Sequence, residues 1–118
     1  MKSKLIDFCI YVSYIRAMNI VHGRFEWDSE KEKINVRKHG LSFEEILPVF
    51  DDPFFFEMYD FNHSDLSEDR FIGVGMLEDV LIVTTCYTER ERTRIISSRV
   101  ATQNEARKYN ERKKDFIG

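Results

Sequence analysis

Thr88 to Arg99 reads T-E-R-E-R-T-R-I-I-S-S-R and places Arg90, Arg92, Arg94 and Arg99 in one short segment. Arginine offers a planar, permanently charged fork of donors that fits phosphate or carboxylate. Ile95 and Ile96 favour a pleated, half-buried setting, so the segment reads as a strand able to hold such forks rigidly at a surface. The implied chemistry is the binding of an anion. Lys38-His39-Gly40 is the second cluster. His39 is a neutral-pH proton donor or acceptor with Lys38 beside it, or else both are cations favoured at a helix C-terminus that Gly40 caps. Arg70 is the third candidate. It follows Glu68-Asp69 and either pairs with acids or faces an anion.

Strand geometry limits how many arginines share a site. On a strict two-residue period Arg92 and Arg94 lie on one face and Arg99 on the other. A turn at Thr88 to Glu91, or a bulge, must re-aim some of them. Arg99 is the one we expect to be structural.

Other chemistries find no support. There is no Walker loop, G-x-G-x-x-G, H-E-x-x-H or G-x-S-x-G. His22, His39 and His63 are far apart and lack paired cysteines, so neither a metal site nor a cofactor is expected. Asn62-His63-Ser64 matches a glycosylation sequon, but nothing else suggests secretion.

The elements that must position these groups follow from pattern. Phe25-Glu26-Trp27 reads as a short strand running into a helix over about Glu30 to His39. Ser29 and Glu32 have capping-box spacing there, and Ile34 and Val36 are the inward candidates. Ser42 and Glu45 form a second box before a helix burying Phe43, Ile46, Leu47 and Phe50, which Pro48 kinks. Strands are expected over Phe54 to Phe61, Arg70 to Met76, Val80 to Tyr87 and Thr93 to Val100, with a tight turn at Leu77-Glu78-Asp79. A third box, Thr102 and Glu105, opens a final helix that carries Ala106 and Tyr109 on one face. The order β-α-α-β-β-β-β-α is an α+β layout: two N-terminal helices, an antiparallel sheet of about four to five strands and a C-terminal helix.

At 118 residues and 42% apolar content the chain suits one globular domain. We read residues 1–17 as an N-terminal extension and 18–118 as the working domain. The extension resembles a signal peptide only superficially, because Asp7 interrupts its apolar run. It is also too short to span a bilayer. Cys9 and Cys86 are the only cysteines, and Cys86 is expected to be a buried thiol in a reducing cytoplasm. Net charge is −3 but polarised. No Lys or Arg occurs between His39 and Asp69, while Arg90 to Lys114 is strongly basic. Such halves either attract each other or receive a partner.

Several motifs then align in order. They are F-E-W-D at Phe25 to Asp28, N-x-x-K-H-G at Asn35 to Gly40, S-F-E-E at Ser42 to Glu45 and V-F-D-D-P at Val49 to Pro53. E-D-R at Glu68 to Arg70, Y-T-E-R at Tyr87 to Arg90 and R-I-I-S-S-R-x-A at Arg94 to Ala101 follow. Together they resemble the BrnT family over Phe25 to about Arg112. Ser98, where the family usually has alanine, is a departure. The resemblance implies a RelE-like fold and a metal-independent ribonuclease toxin of a type II toxin-antitoxin pair, acting in the cytoplasm to arrest growth. It also implies a BrnA-like ribbon-helix-helix antitoxin that masks the toxin and carries it to operator DNA. RNA cleavage through the neighbouring 2′-hydroxyl needs a base, an acid and cations on the developing phosphorane. On that basis His39 is the acid or base with Lys38 assisting, and Arg70 and Arg90 stabilise the phosphate. Arg92, Arg94, Arg99 and Tyr109 are candidates for RNA contact, although Arg94 and Arg99 also suit the sheet and Tyr109 the core. The acidic middle and the aromatic strand are expected to receive the antitoxin. The alternative is a catalytically weak or inactive binding module that acts with the antitoxin in operon autoregulation, or a small DNA-associated regulator working only through its partner.

Overall fold

The structure, a computed structural model, describes residues 18–117. The expected extension over 1–17 lies outside the described residues. Strands β1 (Asn19–His22) and β2 (Phe25–Asp28) form a hairpin whose turn begins at Gly23, with φ +59°. Helix α1 (Ser29–His39) follows, then a turn and a short 3-10 helix (Leu47–Asp51). Strands β3 (Phe56–Tyr59), β4 (Arg70–Leu77), β5 (Leu81–Glu89) and β6 (Thr93–Val100) lead to helix α2 (Gln103–Ile117).

All six strands share one sheet in the order β1-β2-β6-β5-β4-β3. Every neighbouring pair is antiparallel except β2 and β6, which run parallel. The expected all-antiparallel sheet of four to five strands is therefore corrected to a mixed sheet of six. The three expected helices become two α-helices and a 3-10 turn. The reason is local. The Ser42–Glu45 box does form, with Glu45 N donating to Ser42 Oγ (3.1 Å) and Ser42 N to Glu45 Oε1 (2.9 Å). Pro48 then supplies no N–H for an α-helical bond, and the chain tightens into the 3-10 helix. Phe43, Ile46 and Leu47 are still buried, but Val49 takes the fourth buried place and Phe50, expected there, is half-buried. Each large apolar side chain fully buried there contributes ~1.5–3 kcal/mol.

The cap of α1 also moves. Asp28, not Ser29, is the N-cap, its Oδ1 accepting from Glu30 N (2.8 Å) and Lys31 N (3.2 Å). Glu32 instead accepts from Phe43 N (2.9 Å), bracing the next turn. Ile34 and Val36 are exposed, and the buried residue of α1 is Asn35. Beyond the Trp27–Ile95 pair β2 stops. Asn35 substitutes for it: its Nδ2 donates to Ser98 O (2.8 Å) and Leu41 O (2.9 Å), while its Oδ1 accepts from Ser98 N (2.9 Å). All of these backbone groups would otherwise be buried unpaired.

One sheet face carries Phe25, Trp27, Val83, Tyr87 and Ile95 and packs on Leu41, Phe43, Ile46, Leu47 and Val49. Gly73 and Gly75 lie on this face because bulk is forbidden there. A Cβ on Gly75 would sit 2.7 Å from the Val49 carbonyl oxygen, and one on Gly73 2.3 Å from Phe55 Cζ. The Ser98 hydroxyl is buried against Thr85 Oγ1 at 3.0 Å, so it does not go unpaired.

The opposite face carries Arg70, Ile72, Val74 and Met76 of β4, then Thr88, Cys86, Thr84 and Ile82 of β5. Cys86 is half-buried, not the fully buried thiol expected. At the β4–β5 turn, Glu78 and Asp79 both have positive φ (53° and 57°), and Val80 N bonds to Leu77 O. Val80 therefore belongs to the turn and is exposed.

Candidate functional site: an arginine row on the sheet

Tyr87 pairs with Ile95, but Cys86 pairs with Ser97, so Ile96 is an extra residue in β6. This bulge settles the question of faces. Arg94 stands opposite Thr88 and Arg99 opposite Thr84, four residues apart on β5 and hence on the same face. Strict alternation would have separated them.

A polar row crosses that face. Arg70 of β4 is opposite Thr88 of β5, Thr88 is opposite Arg94 of β6, and Arg94 is opposite Glu26 of β2. Arg94 Nη1 contacts Asn19 Oδ1 (2.7 Å) and Glu26 Oε1 (3.6 Å). The Thr88 hydroxyl is buried between the two arginine-bearing strands and has no hydrogen-bond partner. An orphaned hydroxyl of this kind costs about 1–3 kcal/mol.

At the end of the row two arginines converge on one carboxylate. Arg90, in the turn after β5, reaches Glu68 Oε1 at 2.8 Å, and Arg70 Nε reaches Glu68 Oε2 at 3.1 Å. Hydrogen bonds from Arg90 and Arg70 hold the Glu68 carboxyl below the usual carboxylate range. Arg90 is still 55% exposed. Glu68 is fixed by its own loop, since Asp65 Oδ1 accepts from Ser67 N, Ser67 Oγ and Glu68 N. Those bonds, the Ser67 hydroxyl first, lower the Asp65 pKa. Ser64 Oγ accepts from Arg70 N (2.8 Å) and donates to Arg70 O (3.3 Å), tying the loop to β4.

The remaining candidates lie elsewhere. Lys38 and His39 are exposed on the last turn of α1. They line a cavity of about 260 Å³ with Lys31, Ile34, Asn35, Ile96 and Ser97. Ser97 is two register pairs from Arg94, and Arg70 is two strands from β6. At ~3.3 Å per residue and ~4.8 Å per strand, Lys38-His39 and the Glu68 cluster are separate places. Arg92 is exposed in the turn, and its guanidinium has no side-chain partner among the described residues. Arg99 is committed to Glu105 through two bonds (2.7 and 3.1 Å). Tyr109 is buried, its hydroxyl 2.5 Å from Asp52 Oδ2, which also takes Met76 N. Burial and Asp52 push the Tyr109 pKa up. Tyr109 thus cannot present its hydroxyl to RNA, and the core role is the one the geometry supports.

The acidic middle is largely spoken for. Glu57 accepts from the Tyr87 hydroxyl, Asp69 from Tyr59, Asp60 contacts His63, and Asp51 pairs with Arg24. The charge polarity therefore reflects many internal pairs rather than one bare acidic face. Sequence reading missed Glu68 as a shared anchor and passed over His63. The E-x-R spacing of Glu68 and Arg70 was the available signal. A cleft of about 590 Å³ lies between α2 and Pro53 to Phe56, lined by Phe54, Lys108, Arg112 and Phe116, and holds none of the arginine row. Among the described residues, no three His, Cys, Asp or Glu converge as metal ligands would, and no helix is long and apolar enough to cross a membrane.

Comparison with curated proteins finds no match. Among solved structures, the crystal structure of the Brucella abortus ribonuclease toxin BrnT is similar. Its TM-score is 0.50 at 25% identity, covering 65% of this chain and 94% of that one. A family model described as the ribonuclease toxin BrnT of type II toxin-antitoxin systems matches residues 27–105. That span runs from the core tryptophan of β2 to the glutamate that pins α2, and takes in the whole arginine row. The chain belongs to the BrnT family of type II ribonuclease toxins.

Proposed function

We propose that this chain is a metal-independent endoribonuclease whose phosphate site is the Arg70–Glu68–Arg90 cluster, extended along the sheet by Arg94. The observation that carries this reading is the convergence of two arginine forks on Glu68 at the end of a row containing the unpartnered Thr88 hydroxyl. Glu68 occupies, with its two oxygens, the place a phosphate would take between the forks. RNA exchanges with it for one or both guanidinium groups, and the forks then face the charge that develops on the phosphorane. Lys38, His39 and Arg92 contact the RNA away from that point, where the exposed cations of Lys38 and Arg92 add affinity without base preference. The partner is a BrnA-like ribbon-helix-helix antitoxin acting in the cytoplasm, which covers the site and carries the toxin to operator DNA. We read the architecture as the RelE-like fold that the family implies.

The test is induction of the full chain and of its Arg70→Ala and Arg90→Ala variants, with growth followed and total RNA examined. Each variant is expected to lose about 100-fold in RNA cleavage, the usual effect of removing one oxyanion-type donor. Growth arrest with cut RNA in both variants overturns the assignment.

A further inference from the structure

The cluster supplies cations and a carboxylate but, by itself, no group suited to protonate a leaving alkoxide near neutral pH. The loop that carries Glu68 supplies one. His63 Nδ1 lies 2.9 Å from Asp60 Oδ2. An ionised carboxylate only accepts hydrogen bonds, so Nδ1 carries a proton toward Asp60, and Nε2 is the nitrogen left to take up and release the second proton of the imidazolium. Asp60 is itself anchored and shielded. Its side chain is 9% exposed, its N–H donates to Arg70 O at 2.8 Å, and its carbonyl accepts from Ser64 N. Asp60 thus stands across from Arg70, extending the row by one strand. The His63 ring, in contrast, is 67% exposed. Next to it in sequence, Ser64 bonds the Arg70 backbone in both directions.

We infer that His63, oriented by the buried Asp60, is the general acid of the RNA-cleaving site, a role that rests on the ribonuclease reading above. In the step, the 2′-oxygen bonds to phosphorus and the P–O5′ bond breaks. Glu68, displaced from the forks by the phosphate, takes the 2′-hydroxyl proton with its carboxylate, while His63, as the imidazolium, gives its Nε2 proton to O5′ and is left neutral with its proton on Nδ1. The products are a 2′,3′-cyclic phosphate and a 5′-hydroxyl. His63 is the catalytic residue here and Asp60 a positioning residue. The other charged groups bonded within or to this loop are Asp65, Glu68, Asp69, Arg70 and Arg90.

The experiment measures cleavage of a labelled single-stranded RNA by the purified full chain and its His63→Ala, Asp60→Asn and His39→Ala variants across pH. The expected loss for His63→Ala is 100-fold or more, at unchanged melting temperature because the ring is exposed. The wild-type rate should fall on the alkaline side, and Asp60→Asn should move that limb to lower pH. His63→Ala should lack the limb, and His39→Ala should keep it. An RNA with sulfur at the bridging 5′ position leaves without a proton, so His63→Ala should cut it within tenfold of wild type. Cleavage of ordinary RNA by His63→Ala within threefold of wild type, or an alkaline limb that persists in it, overturns the inference alone. Intact RNA with the wild-type chain overturns the ribonuclease reading and this inference with it.

Discussion

Glu105 and Glu68 both receive arginine forks, and their surroundings differ. Glu105 is pinned from every side. Arg99 grips both its oxygens, Thr84 Oγ1 donates to Oε1 (3.0 Å), and Thr102 N closes the capping box (2.8 Å). These groups join β5, β6 and the first turn of α2, so the pair staples a helix to the sheet. Glu68 also holds two forks, but they come from two different arginines, and Arg90 is half in solvent. The same chemistry is closed in one place and exchangeable in the other. An ion pair that locks three elements is structure, whereas an ion pair at the rim of a cationic row is a site waiting for a different anion.

The largest effect should come from exchanging the two losses. Arg99→Ala is expected to cost about 2 kcal/mol of stability by removing a charge-assisted bond from a part-buried carboxylate. RNA cleavage per folded molecule should stay within a few-fold. Arg90→Ala should do the reverse, leaving the melting curve nearly unmoved. Thermal unfolding and cleavage assays on both variants check this, and equal behaviour would erase the distinction.

Acid should sharpen it. The Arg99 and backbone bonds outweigh desolvation and depress the Glu105 pKa from 4.5 to about 2. Its stabilisation is therefore fully present above pH 4.5 and lost as pH falls through about 2. After allowance for solvent screening this is roughly 1–2 kcal/mol. Urea unfolding at pH 6 and pH 3 should show this loss in the wild type and not in Glu105→Gln. Glu68 is also depressed, by hydrogen bonds from Arg90 and Arg70.

The smallest effect belongs to Arg92. Its free guanidinium should add one phosphate contact without shaping the site. Arg92→Ala is expected to weaken single-stranded RNA binding uniformly across sequences and to reduce the salt slope of log affinity by ~0.7. A titration of binding against salt measures it.

Where the physics is local, the chain could be read directly. The Thr102–Glu105 box, the turn at Leu77 to Val80 and the strands that became β4, β5 and β6 announce themselves within a few residues. What eluded reading depends on distant partners. Asn35 is polar and so looks like surface, yet it is buried because β2 ends one strand-length short. The parallel β2–β6 pair joins residues nearly seventy positions apart. Asp28 and Ser29 are both plausible caps, and only the fold decides between them. The site divides the same way. Glu68 and Arg70 are two residues apart, while Arg90 arrives from the next hairpin and His63 from a loop whose closure no local pattern specifies.

The side-chain amide of Asn35 has a consequence for the company this protein keeps. Past the end of β2, the backbone of β6 would offer paired donors and acceptors to any extended chain nearby, the template from which strands of separate molecules associate. With Ser98 N and O both occupied by one asparagine, that length of β6 has nothing left to offer at its centre. Here one residue closes the centre of that edge.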